Sequence, residues 1–167
     1  MAIIKTLLGK TPKFGKDCYL SETSAIIGDV VMGDNCSVWF SAVIRGDVNT
    51  IRIGNNTNIQ DCACIHATFE TGPTFIGNDV SIGHNATVHA CRIKDGALIG
   101  MGATLLDGCE IGEQAVVAAG ALVLSGTKIG KGELWAGVPA KFVKMAKEGQ
   151  AKSFADHYTT YKQWYKE

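Results

Sequence analysis

A spacing of six residues between bulky apolar side chains constrains this chain more than any other feature. Units open at Phe14, Leu20, Ile26, Met32, Val38 and Ile44, resume at Ile53, Ile59 and Ile65, and again at Ile76, Ile82 and Val88. A last unbroken series runs from Ile93 through Ile99, Leu105, Ile111, Val117, Val123 and Ile129 to Trp135. The fifth position of most units is small or β-branched, as at Cys18, Cys36, Ala63, Ala86, Ala103 and Ala121. A period of six fits neither a helix nor a plain amphipathic strand. It predicts short strands and corners, with one large and one small side chain per unit filling a narrow core. The 20 glycines and 3 prolines suit many short strands joined by tight turns.

The pattern resembles the hexapeptide repeat. That resemblance implies an all-β fold, a single-stranded left-handed parallel β-helix of triangular cross-section with a C-terminal α-helix. The hand comes from the resemblance and opposes the usual right-handed crossover. Three units make one coil, coils stack at about 4.8 Å, and stability comes from stacking neighbours. Glycine recurs at position two of every third unit (Gly15, Gly33, Gly54, Gly77, Gly112, Gly130) and marks one corner, where the turn needs a positive φ or no side chain.

The expected organisation is a single domain, 1–167, with the β-helix over 12–140 and a helical tail over 141–167. The first dozen residues are expected to cap the other end with a short strand and turn. In the tail, Phe154, Tyr158, Tyr161 and Tyr165 share one helical face. Packing on the outside of the prism is its expected role, in preference to a ligand-binding aromatic box.

The repeat breaks in three places. Three residues are extra between Ile44 and Ile53, five between Ile65 and Ile76, and one is missing between Val88 and Ile93. Insertions of this kind are expected to leave as corner loops and are often functional. The breaks surround three of the 4 histidines, His66, His84 and His89. In the coil register His66 and His89 are outward neighbours in a column with Ile27, Arg45, Leu106 and Leu124. That apolar column predicts an interface.

His84 belongs to a different column. The extended chain between it and His89 covers about 16 Å, whereas zinc–nitrogen bonds of about 2.1 Å require converging ligands. The simplest arrangement brings His84 from a neighbouring subunit and makes a cyclic homotrimer with interfacial metal sites. His157 lies in the tail and is not expected to be a ligand.

Formal net charge is 0, which gives no sign of nucleic-acid or anionic-membrane partners. No apolar run spans a bilayer, and the first ten residues do not read as a signal peptide. A cytoplasmic protein with six reduced cysteines is the expectation. Cys18, Cys36 and Cys109 take the small inward position, Cys62 and Cys64 flank it, and Cys91 lies close to the histidines.

With these residues in place, the chain resembles the γ-class carbonic anhydrase family over roughly residues 12–141, most sharply from Arg45 to His89. The resemblance implies a trimer that hydrates carbon dioxide to bicarbonate. It implies Zn(2+), with Fe(2+) or Co(2+) able to take the same ligands, held by His66 and His89 of one chain and His84 of the next. Arg45-Gly46-Asp47 matches the family's Arg-x-Asp, and Asn58-Ile59-Gln60-Asp61 its Asn-x-Gln-Asp. By that match Gln60 orients the reacting oxygen, Arg45 and Asp61 support the ligands, and Asn58 lines the substrate pocket.

The chain departs from family members that carry proton-shuttling glutamates. Val48 follows Asp47, and Phe69 stands three after His66. Glu70 and Tyr158 are the candidate substitutes, and low turnover is expected. Two other functions fit the same fold. One is a coenzyme A-dependent acyltransferase, which Gly137-Val138-Pro139-Ala140-Lys141 resembles at its terminal turn. The other is a non-catalytic metal-binding homologue.

Overall fold

The computed structural model describes residues 1–166; Glu167 of the expected domain lies outside the described residues. The third face of the prism shows the stacking most simply. It stacks Tyr19–Leu20, Ser37–Val38, Asn58–Ile59, Ser81–Ile82, Leu98–Ile99, Val116–Val117 and Glu133–Gly137 in parallel, one strand per coil. The first face carries Ile3–Lys5, Cys64–His66, Thr87–His89, Thr104–Leu105 and Leu122–Val123. The second carries Lys13–Phe14, Thr74–Ile76, Arg92–Ile93, Glu110–Ile111 and Lys128–Ile129. Two long strands, Ala25–Met32 and Val43–Ile53, bend from the first face to the second and join them into one sheet. The result is the parallel β-helix that the resemblance to the hexapeptide repeat implies.

The core follows the repeat. Ile26, Ile44, Ile59, Ile65, Ile82, Ile99, Leu105 and Ile111 are fully buried, as are Ala63, Ala86, Ala103 and Ala115 at the small position. Each fully buried Ile or Leu is worth about 1.5–3 kcal/mol. Because they stack in register, as at Ile82↔Ile99 and Ile99↔Val117, each coil covers the next.

The glycine corner has a specific cause. None of its position-two glycines has a positive φ; the left-handed residues lie two places later, at Asp17, Asn35, Asn56, Asp79, Gln114 and Gly132. The glycines are there because coils touch: a Cβ on Gly54 would lie 2.7 Å from the backbone nitrogen of Asn78. Between them a ladder of side chains ties the coils together. The backbone N–H of Asp34 donates to Asn55 Oδ1 at 2.8 Å, that of Asn55 to Asn78 Oδ1 at 2.8 Å, and that of Asn78 to Asp95 Oδ1 at 2.8 Å.

Two expectations need correction. The first insertion does not leave as a loop. Val43–Ile53 stays one strand whose register against Ala25–Met32 shifts, so Gly28 opposes Gly46 but Val30 opposes Ile51. Pairing with the coil below holds the strand, and residues 47–50 bulge outward.

The tail is also not helical from residue 141. Ala140–Met145 returns antiparallel along Glu133–Gly137, and the helix is Gln150–Tyr161 followed by a 3-10 turn, Lys162–Tyr165. The helix lies across the third face through Ala151, Ala155, Tyr158 and Lys162, a stripe offset from the aromatic one. Small residues let it approach. Lys162 is fully buried, and its Nζ donates to Asp17 O at 2.8 Å and to Asn35 Oδ1.

All six cysteines are free. Cys62 and Cys64 are exposed, Cys36, Cys91 and Cys109 buried. Among the described residues no helix is long and apolar enough to cross a membrane.

Candidate metal centre

The first face has a histidine group at each edge. At the edge where the chain leaves it, His66 and His89 are register partners on adjacent coils. His66 Nδ1 lies 3.1 Å from His89 Nε2. Two ligands of one tetrahedral ion, each at about 2.1 Å, sit about 3.4 Å apart. Parallel strand pairing thus brings two imidazole nitrogens within reach of a single ion.

The breaks in the repeat supply the groups behind them. The bulged segment carries Asp47, whose Oδ1 lies 2.9 Å from His66 Nε2 and whose Oδ2 accepts from Arg45. Asp107, on the coil beyond His89, holds His89 Nδ1 at 2.7 Å. The second insertion is pinched shut by pairing between Thr68 and Gly72. It presents the Thr68 hydroxyl to Asp107, and Asn49 of the bulge donates to Thr68 O at 3.0 Å. Burial raises the Asp47 pKa, but hydrogen bonds from Arg45 and His66 outweigh it and the net shift is downward. For Asp107 the Thr68 hydroxyl is the main cause, partly opposed by burial and reinforced by His89, and the pKa is again lowered.

At the opposite edge, where the chain enters the first face from the third, His84 has its own set. His84 Nδ1 lies 2.7 Å from Asp61 Oδ2, and Tyr158 of the helix places its hydroxyl 3.3 Å from His84 Nε2. Gln60 is buried; its Oε1 accepts the backbone N–H of His84 at 3.2 Å and its Nε2 donates to Asn58 Oδ1 at 3.0 Å. Asn58 in turn donates to Ser81 Oγ at 2.8 Å. Burial, with the charge of Asp61 and the neighbouring Tyr161, pushes the Tyr158 phenol up to about 12.

Each imidazole therefore has a carboxylate on one nitrogen: Asp47 on His66, Asp107 on His89, Asp61 on His84. An ionised carboxylate only accepts, so the facing nitrogen carries the proton and the other offers its lone pair. Histidine ligands of metals are usually held this way. Within one chain no group of three or more such side chains could hold an ion, among the described residues. The structure brings Arg45 to the first group, and Asn58, Gln60, Asp61 and Tyr158 to the second. Glu70 joins neither: it sits at the exposed loop tip, with a φ of 58°, and makes no side-chain hydrogen bond among the described residues.

Asp107 and Thr68 escaped the sequence reading. The signal was there, because Asp107 directly follows Leu106, the column residue above His89, as Asp47 lies just past Arg45 below His66.

The chain is 51% identical to a probable carbonic anhydrase of Methanocaldococcus jannaschii over 146 residues, covering 87% of this chain and 91% of that one. The chain belongs to the γ-class carbonic anhydrase family. It is 44% identical over 146 residues to γ carbonic anhydrase 2 of Arabidopsis thaliana, a mitochondrial protein, covering 84% of this chain but 52% of the relative. It thus spans about half the length of that plant relative. The family model for bacterial transferase hexapeptide repeats matches residues 73–107 and 90–125. Among solved structures, a hexapeptide transferase family protein of Anaplasma phagocytophilum superposes with a TM-score of 0.93 at 37% identity, covering 98% of both chains. An N-acyltransferase of Bacillus cereus, solved with dTDP and coenzyme A, superposes with a TM-score of 0.74 at 16% identity over 89% of this chain and 90% of that one. At that identity the likeness is one of fold alone.

Proposed function

We propose that this chain is a metal-dependent carbonic anhydrase that hydrates carbon dioxide to bicarbonate as a homotrimer. The observation that carries the reading is the carboxylate behind each of three histidines, divided between two edges of one face. In a cyclic trimer the edge bearing His84 meets the edge bearing His66 and His89 of the next subunit, so three equivalent sites form and none is complete in one chain. His66, His89 and the next subunit's copy of His84, as neutral imidazoles, would suit Zn(2+), Fe(2+) or Co(2+). A divalent ion held there supplies Lewis-acid activation of water near neutral pH.

The chain's own groups do the rest. Asp47, Asp61 and Asp107 hold the imidazoles in the tautomer and orientation that present a lone pair. Gln60 is fixed at both ends of its amide, so its remaining N–H is aimed rather than mobile, and it orients the reacting oxygen. Asn58 fixes Gln60. Tyr158 stays protonated and holds His84 Nε2 until the subunits meet. Each of the three aspartates is held by its histidine, and Glu70 stands at the exposed tip of its loop. Proton removal therefore falls to external buffer.

The test is anaerobic purification with metal analysis and stopped-flow hydration. About one ion per chain, with hydration that depends on it, supports the reading. Metal without hydration identifies a non-catalytic binding homologue. A second reading, acyl transfer, is favoured by the largely apolar cleft of about 420 Å³ that runs from Gln60 and His84 under Phe154 and Tyr161. Calorimetric coenzyme A binding by metal-free protein would select it.

A further inference from the structure

We propose that the aromatic pocket where the C-terminal helix ends is a binding site for a quaternary ammonium group. The cavity, about 190 Å³, is walled by Trp39, Phe40, Tyr158, Tyr161, Trp164 and Tyr165, with Asp61 as its charged group. The rings form a connected wall. Trp39 meets Tyr158 and Tyr165 edge-on, each at a centroid distance of 5.3 Å. Phe40 lies 5.9 Å from Tyr165, Tyr158 5.4 Å from Tyr161, and Tyr161 5.0 Å from Trp164.

An ordinary packed cluster would bury its large rings. Here Trp39 is 5% exposed, but Trp164 and Tyr165 are held at 65% and 50%. Indole and phenol faces attract a cation within about 6 Å of their centroids. The choice of cation follows from the hydrogen-bond inventory. A primary ammonium needs several strong acceptors when it leaves water, and the pocket's one carboxylate is Asp61, whose Oδ2 is engaged by His84 Nδ1; its other acceptors are the neutral phenol oxygens of Tyr158, Tyr161 and Tyr165, weaker partners than a carboxylate. A quaternary ammonium has no N–H to satisfy. It needs only methyl-sized space, π faces and a nearby negative charge.

Asp61 and Tyr158 also contact His84, so an occupant would sit one side chain away from the candidate metal centre. The proposal itself requires no metal.

The test uses the full chain. Tetramethylammonium, choline and the uncharged tert-butyl analogue of choline are titrated while tryptophan fluorescence and aromatic NMR shifts are followed. Saturable binding of both cations is expected, with choline about tenfold tighter than its neutral analogue. Trp164→Ala should weaken choline about tenfold and Trp164→Phe by less, with metal content unchanged in both. The proposal is overturned by absence of a saturable response to choline, or by equal binding of the neutral analogue, which would mark a merely apolar cleft. Undiminished choline binding by Trp164→Ala would also overturn it. Choline binding by unmodified protein that neither holds metal nor hydrates carbon dioxide would instead sink the carbonic anhydrase reading alone.

Discussion

The coils from Ile93 to Trp135 and those from Ile44 to Ile93 share one core and differ in almost everything outside it. In the first stretch the period is unbroken, and the left-handed corner positions are glycines such as Gly96, Gly102, Gly108 and Gly120, with Gln114 the exception. In the second the period breaks three times, the left-handed positions include Asn56, Cys62, Glu70, Asp79, Asn85 and Ala90, and all three candidate ligands are found there. Regular coils build a scaffold whose every rung is interchangeable. Irregular ones place Asp47, Thr68 and Asn49 where a strict repeat would have put corner residues. The fold is carried by repetition, and the chemistry by departures from it.

The comparison can be broken most severely at His84. Replacement by alanine should reduce bound metal from about one per chain to near zero, a loss of at least about a hundredfold in affinity, with circular dichroism unchanged. Ile111→Ala, in the regular stretch, should do the converse. It should cost about 2–5 kcal/mol in denaturant unfolding and leave the metal affinity of the folded protein within about twofold. Asp107→Ala should weaken metal by about ten- to a hundredfold with little change in unfolding, because it orients His89 without ligating.

Tyr158 sharpens the comparison through pH. Its folded pKa of about 12 lies above its ordinary value of 10.0, so the neutral phenol is favoured in the fold. The stabilisation is complete below pH 10 and is lost as pH rises towards 12. Tyr158→Phe should remove that part of the alkaline fall in stability, read by unfolding midpoints at successive pH values. Smallest of all should be Glu70→Gln, with hydration altered by less than about twofold while turnover still rises with added imidazole buffer.

Much of this was legible in the residues. Period six gave the strands because each unit needs one inward Ile, Leu or Val, and that requirement is local. The pairing of His66 with His89 followed from counting, since parallel coils in register have no freedom to slip. The separate place of His84 followed from the length of chain between columns. What counting could not reach was anything decided by close approach or by where an irregular segment folds back. Five of the six corner glycines are explained by contact between coils, which no single unit reveals; the sixth, Gly130, is closed by the Glu133 side chain. Thr68 reaches Asp107 only because the loop is pinched at Gly72. The strand at Ala140–Met145 exists because Glu133–Gly137 offers it an edge, and its lysine-rich sequence carries no sign of that partner. The aromatic stripe of the tail read as packing. Its last rings lie at the surface because Ala151, Ala155 and Lys162 took the contact positions instead.

The claim beneath all of this is that the site is divided between subunits, and mixed trimers test it directly. His84→Ala and His89→Ala chains are each expected to form trimers without metal. When the two are unfolded and refolded together, every mixed trimer contains one junction where intact His66 and His89 face an intact His84. The account predicts about one ion per mixed trimer after separation by native mass spectrometry. Mixed trimers that bind no metal, or a His84→Ala homotrimer that binds its full complement, would contradict it.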